Sequence, residues 1–319
     1  MSDLLLWLGI FLISMAVLVK AADYFTEAAE KIGLYFGLPA FIVGVTIVAV
    51  GTSLPELITS IIAATGGNSE IVAGNVIGSN IANIFLVLGI AAIIARKMQI
   101  EYELSQVDLP LLVGSAFLMA ITIWDGIFTW KEGILCLLLL AVYLLYTIQT
   151  GEKHPQKIKK EMKGVLVKKE KIKASTWITL AASAVFLYLG AKYTVDSLVQ
   201  ISDILNIGKD IIAASAVALG TSLPELTVTI NSARKGKGEI AIGNVLGSNI
   251  FNSLAVMGIP AFFGVLVVPA GMITFALPMM IIATLLYFFI TQVKHVTRWE
   301  GWMLVIFYVL FIGKLFGLF

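Results

Sequence analysis

Soft metal ligands are almost missing from this chain, which holds one cysteine and two histidines in 319 residues. A single thiol excludes an intrachain disulfide, and Cys136, set among leucines, reads as packing. His154 and His295 fall in connecting segments, so zinc sites of the Cys/His type and imidazole-based catalysis have nothing to build on. Charge is scarce as well: Asp, Glu, Lys and Arg make up 13% of residues against 59% hydrophobic ones, and the mean hydropathy is +0.96. That balance excludes an ordinary soluble domain and reads as an integral membrane protein.

A spanning helix needs about 20 mainly apolar residues. Ten stretches qualify, near 4–22, 39–64, 71–95, 107–124, 132–149, 176–194, 210–233, 240–263, 271–292 and 301–318. The first lacks the basic start and small-residue cleavage site of a signal peptide, so it is expected to be a retained helix that leads through an amphipathic connection to Pro39. The only long non-apolar segment, 150–175, contains nine lysines and is expected to be a solvated linker near anionic headgroups. With the N-terminus outside, 17 of the 22 basic residues fall on the cytoplasmic side. The positive-inside rule therefore predicts both termini outside and the linker in the cytoplasm.

Inside two of these stretches the same six residues occur. Gly51-Thr52-Ser53-Leu54-Pro55-Glu56 returns as Gly220-Thr221-Ser222-Leu223-Pro224-Glu225. A glutamate in hydrocarbon costs several kcal/mol unless compensated, so each marks a functional site by default. Pro55 and Pro224 have no amide hydrogen for the carbonyls of Gly51 and Gly220, which predicts a broken helix beside each acid. Residues 51–83 and 220–252 align with a constant offset of 169 and are identical at 20 of 33 positions. The chain is thus an internal duplication: a first repeat over 1–149, the linker over 150–175 and a second repeat over 176–319. Five spans per unit is an odd number, so the expected fold is all-α with ten transmembrane helices in two inverted repeats and a site where the copies meet.

The helix after each motif carries Gly74-x-x-x-Gly78 or Gly243-x-x-x-Gly247, small faces that let helices approach closely. Ser79 with Asn83, and Ser248 with Asn252, are spaced i and i+4 and share a face. Asn75, Asn80, Asn244 and Asn249 are assigned to other faces and to helix-to-helix hydrogen bonds. Lys20 and Lys192 lie near span ends, where they can reach water rather than pair with the acids. The residues left around the glutamates are all oxygen donors: the hydroxyls of Thr52, Ser53, Thr221, Ser222, Ser79 and Ser248, the amides of Asn83 and Asn252, and freed carbonyls around Ala49 and Ala218. Hard cations take such ligands, calcium about six to eight of them. Two carboxylates balance one divalent ion or can be met by several sodium ions, which is a basis for exchange.

The paired motifs Gly-Thr-Ser-Leu-Pro-Glu and Gly-Asn-Val-(Ile/Leu)-Gly-Ser-Asn-Ile-x-Asn, each present twice, resemble the alpha repeats of the calcium/cation antiporter superfamily, most closely prokaryotic sodium/calcium exchangers. The resemblance implies that Glu56 and Glu225 bind calcium and share in sodium binding. It also implies that Thr52, Ser53, Ser79, Thr221, Ser222 and Ser248 supply oxygens, that Ala49 and Ala218 are carbonyl donors, and that Asn83 and Asn252 sit at the centre. Family members often carry an aspartate at one central position, potassium-dependent exchangers among them; two asparagines here argue against potassium dependence. The Gly-Asn-x-x-Glu pattern of proton/calcium exchangers is absent. The expected function is electrogenic sodium/calcium antiport across the cell membrane, with calcium and sodium as transported ions, the lipid bilayer as the partner and no cofactor. Alternatives are a proton-coupled or broader divalent-cation exchanger and, from another class, a cation channel. An enzyme is not expected, since no span holds a nucleophile-base pairing or metalloprotease motif.

Overall fold

A computed structural model of the chain describes residues 2–35, 49–99, 108–153, 173–236 and 238–318. Most of the 150–175 linker, the end of the connection to Pro39 and the start of the second apolar stretch lie outside these residues. Helix dominates because a chain this apolar must satisfy its backbone polar groups within each segment.

The first copy contains α1 (Ser2–Tyr35), α2 (Ala49–Thr52), α3 (Leu54–Thr65) and α4 (Ser69–Ile81), which runs through a π-helical stretch, Ala82–Leu88, into α5 (Gly89–Ala95). Strand β1 (Lys97–Gln99), α6 (Asp108–Thr122), β2 (Ile127–Phe128) and α7 (Trp130–Lys153) follow. The second copy has α8 (Ala174–Leu205), α9 (Lys209–Ile212), a π-helical turn at Ala213–Val217, α10 (Ala218–Thr221), α11 (Leu223–Arg234) and α12 (Gly238–Phe251). A π-helical turn at Asn252–Val256, β3 (Leu266–Val267), another at Met272–Ala276, α13 (Leu277–Gln292), β4 (His295–Thr297) and α14 (Arg298–Leu315) complete it.

Each of the ten apolar stretches is mainly helical over its described residues, with interruptions at Ser53 and Ser222 and departures at the ends. Helix α1 continues through the expected connection as far as Tyr35, and α8 runs to Leu205, where Asn206 adopts the left-handed conformation (φ 53°, ψ 42°). That conformation closes helices and is tolerated by asparagine. By length and composition, six helices among the described residues can cross a membrane, or seven if the bent pair Lys209–Thr221 and Leu223–Arg234 counts as one.

Two short antiparallel ladders tie the copies together, β1 to β4 and β2 to β3. Lys97 lies opposite Thr297 and Met98 opposite Val296; Leu266 lies opposite Phe128 and Val267 opposite Ile127. Shifting every position by 169 residues converts the first ladder into the second, register included. Connections also sort into two groups: Gly238 packs on Met98 and Gln99 beside the first ladder, whereas Ser69 accepts the amide of Val267 in the second.

Helices α1 and α8 form one packed pair, with Ser14 3.0 Å from Thr194 and the backbone of Leu18 against Gly190. The most enclosed part of the core is α4 and α12, whose side chains are buried on nearly every face. The small residues explain the closeness. A Cβ on Gly78 would lie 2.4 Å from the carbonyl oxygen of Ala214, and one on Gly74 would lie 2.5 Å from that of Asp210. This is the tight packing that the glycine spacing predicts for Gly74 and Gly78; it is not repeated at Gly243, where a Cβ would meet nothing within 4 Å.

Candidate cation site

Each signature helix breaks at its serine, just before the proline. Ser53 (φ −89°, ψ 9°) separates α2 from α3, and Ser222 (φ −82°, ψ 8°) separates α10 from α11, with a bend of 44° at the second. Pro55 and Pro224 occupy the first turns of α3 and α11, where a missing amide hydrogen costs least. Met15 of α1 lies over the second break, at a place kept open by Gly220; a Cβ there would fall 2.8 Å from its sulfur.

The breaks aim the two acids across the molecule. Ser53 Oγ donates to Glu225 Oε1 at 3.0 Å, and Ser222 Oγ donates to Glu56 Oε1 at 3.3 Å. Ser248 of α12 also donates to Glu225 Oε1, at 3.3 Å. The side chains of Thr52 and Thr221 lie beside Glu225 and Glu56 respectively. Thr221 Oγ1 also lies 3.1 Å from Val217 O, one turn back along the chain. Glu56 and Glu225 are both fully buried.

Among the described residues several buried polar atoms of these motifs have no hydrogen-bond partner: the second carboxylate oxygens of Glu56 and Glu225, Ser79 Oγ, and both amide atoms of Asn83 and of Asn252. A buried polar group without a partner costs about 1–3 kcal/mol. Such a concentration is what a site for a hard cation requires. The asparagines sit in the π-helical stretches that follow α4 and α12. An extra residue per turn re-aims side chains there, and nothing in the residue pattern signals it.

Of the residues singled out in the sequence, Glu56, Glu225, Ser53, Ser79, Ser222, Ser248, Thr52 and Thr221 therefore gather around the two breaks, while Asn83 and Asn252 are buried in the π-helical stretches that follow Ser79 and Ser248. Two expectations need correction. The carbonyl of Ala218 is not bare, because the amide of Ser222 donates to it at 3.1 Å and the hydroxyl of Thr221 reaches it at 3.4 Å; the helical bond four residues on is intact here, since the proline at 224 withholds its amide from Gly220 instead. Its counterpart Ala49 opens α2. Asn75 and Asn244 do not lie on another face: 75, 79 and 83 are spaced i, i+4 and i+8 and form one stripe, as do 244, 248 and 252. Their bonds do run from helix to helix, to Glu56 O at 3.1 Å and Glu225 O at 3.4 Å. Asn80 and Asn249 make the expected contacts as well, to Ser253 Oγ at 2.8 Å and Asn80 O at 3.4 Å. Lys20 pairs with Asp23 at the exposed surface and Lys192 is exposed, so neither neutralises the acids.

Among the described residues no group of three or more His, Cys, Asp or Glu side chains could hold a metal. What these residues offer a cation is oxygen with two negative charges, enclosed within a helical membrane protein, and that defines the class as a membrane ion transporter. Comparison with known proteins supplies the rest. The profile of the family described as "Sodium/calcium exchanger protein" matches residues 6–149 and 175–316. The sodium/calcium exchanger MaX1 of Methanosarcina acetivorans is 34% identical over 96% of this chain and 97% of its own length. An uncharacterized membrane protein of Methanocaldococcus jannaschii is 33% identical over 98% of this chain and 99% of its own. A solved structure of the sodium-calcium exchanger NCX_Mj, soaked with sodium and strontium, superposes with a TM-score of 0.66 at 30% identity, covering 98% of this chain and 99% of that one. The chain belongs to the sodium/calcium exchanger family.

Proposed function

We infer that this membrane antiporter exchanges calcium for sodium across the cell membrane by alternating access, electrogenically and without potassium. The observation that carries this reading is the crossed pairing of Ser53 with Glu225 and Ser222 with Glu56. A site of this kind exists only where the two copies meet, so a movement of one copy against the other makes and unmakes it. That is the arrangement alternating access needs. The ladders that interconvert under the 169-residue offset support two inverted five-helix repeats and ten crossings. The placement of basic residues supports external termini and a cytoplasmic linker.

In this reading Glu56 and Glu225 hold calcium and also take part in binding sodium. The hydroxyls of Thr52, Ser53, Ser79, Thr221, Ser222 and Ser248 supply further oxygens, with the Ala49 carbonyl at the edge and the amide oxygens of Asn83 and Asn252 at the centre. Serine hydroxyls that donate to a carboxylate can rotate and present their lone pairs to an arriving cation, so the same groups serve both states. Two minus charges in a poorly screened interior favour one divalent ion or a set of monovalent ones, and the two kinds of ion compete for one cage. With neutral amides at both central positions there is no third carboxylate to favour an added potassium ion.

The test is calcium uptake into proteoliposomes under an imposed sodium gradient, set against proton and potassium gradients. Uptake driven by sodium alone is expected. Uptake driven by protons, or a requirement for potassium, would overturn the assignment, and calcium flux without any counter-ion would indicate a channel.

A further inference from the structure

The two acids are held at their backbones as well as at their carboxylates. Asn75 Nδ2 lies 3.1 Å from the main-chain oxygen of Glu56 and 3.0 Å from Ser60 Oγ, one turn further along α3. Asn244 repeats the arrangement with Glu225 O at 3.4 Å and Thr229 Oγ1 at 3.0 Å. Asn75, Glu56 and Ser60 are each 169 positions before Asn244, Glu225 and Thr229, so the grip has been kept in both copies although Ser60 and Thr229 differ. Both asparagines are buried.

A helical carbonyl already accepts the amide four residues on. The asparagine adds a second donor, whose geometry depends on how the acid's helix sits against the next one. A slide or rotation of α3 over α4 by about half an ångström or more carries both contacts of Asn75 out of hydrogen-bond range. Asn75 also stands one turn from Ser79 and two from Asn83 on the same stripe. The grip therefore locks the glutamate of one helix to the hydroxyl and amide of its neighbour.

We propose that Asn75 and Asn244 are positioning residues that set the register of α3 on α4 and of α11 on α12. Each glutamate and its companion oxygens then travel as one body, and the coordination changes between the copies rather than within them. This rests on reading the site as the calcium and sodium site. Asn80 provides an internal control. It is equally buried, but its amide donates to Ser253 Oγ at 2.8 Å and to Met280 Sδ at 3.6 Å rather than to the backbone of an acid.

The experiment compares Asn75→Ala, Asn244→Ala and Asn80→Ala in the full-length protein, by calcium KM and maximal rate in proteoliposomes and by the calcium-induced rise in melting temperature. Asn75→Ala and Asn244→Ala should raise the calcium KM by about tenfold or more, since small misplacements of binding groups are costly, and should shrink the calcium-induced rise. Asn80→Ala should lower the melting temperature without calcium yet keep KM within about twofold, as for a contact that only packs. If an alanine variant does not accumulate, Asn75→Ser and Asn244→Ser retain one donor and should show a smaller change in the same direction. Unchanged KM in the Asn75 and Asn244 variants, or equal change in the Asn80 variant, overturns the positioning role while the parent still exchanges. A parent without sodium-driven exchange overturns the functional reading instead, and the thermal response then decides: a rise in Asn75→Ala equal to the parent's sinks the proposal. A parent with no calcium response of either kind sinks both.

Discussion

Ser53 and Glu225 stand 172 residues apart in sequence and 3.0 Å apart in the structure, the serine donating to the carboxylate. Ser222 returns the relationship to Glu56 at 3.3 Å. Each acid thus takes a hydroxyl from the opposite copy of the motif. A cation that draws on both acids is coordinated by both halves of the chain at once.

The first prediction concerns the charges. Glu56→Gln and Glu225→Gln each remove half of the negative charge while nearly preserving volume. Calcium transport should fall by about 100-fold or more, because one carboxylate no longer balances a divalent ion in a poorly solvated interior. The proteins should still fold and melt at or above the parental temperature, since two buried like charges repel each other. Proteoliposome flux and thermal unfolding check both halves, and retained exchange in either variant would falsify the assignment of that carboxylate.

Voltage provides the second. With both acids ionised the cage carries two minus charges, so calcium leaves it neutral. A cycle trading about three sodium ions for one calcium moves about one net charge, worth about 2.3 kcal/mol per 100 mV. Exchange in voltage-clamped vesicles should therefore follow the membrane potential, and voltage-independent exchange would rule this cycle out.

The same charge count makes Asn252 informative. Asn252→Asp places a third carboxylate near two others, and neighbouring like charges raise one another's pKa. Protons should then compete for the site, so the variant's calcium flux should fall as pH drops through a range where the parent's is flat. A pH series of sodium-driven flux measures this; an unchanged profile would place Asn252 outside the ion cluster.

Close packing makes a prediction about stability. The added methyl of Gly78→Ala would meet the Ala214 carbonyl at 2.4 Å, and Ala214 belongs to a buried helix that cannot yield freely. Overpacking of this kind costs about 1–3 kcal/mol. Gly114→Ala in α6 meets nothing within 4 Å and should be neutral or stabilising by up to about 1 kcal/mol. Thermal unfolding of the two variants side by side decides, and equal melting temperatures would contradict the packing argument.

Orientation can be tested without transport. In a Cys136→Ala background, a cysteine introduced between residues 154 and 172 should react with an impermeant reagent only after the cells are opened. Labelling of intact cells from outside would reverse the expected topology.

Membrane residence, the duplication and the identity of the two acids could be read directly from the residues, because each is a local property. Hydropathy sums along the chain, repeats align along it, and a glutamate beside a proline in an apolar run is costly wherever the run packs. The break at each motif was legible for the same reason, since proline removes a donor regardless of its neighbours. Partnership was not. That Ser53 serves Glu225 rather than Glu56, that Met15 lies over the break at Gly220, and that β1 pairs with β4 in the register of β2 with β3 all depend on segments far apart in sequence. The π-helical turns that carry Asn83 and Asn252 leave no mark in residue spacing. The residue pattern determined which oxygen atoms are available; only the tertiary structure decided which of them meet, because charge and volume are carried by single residues whereas coordination is a property of atoms brought together.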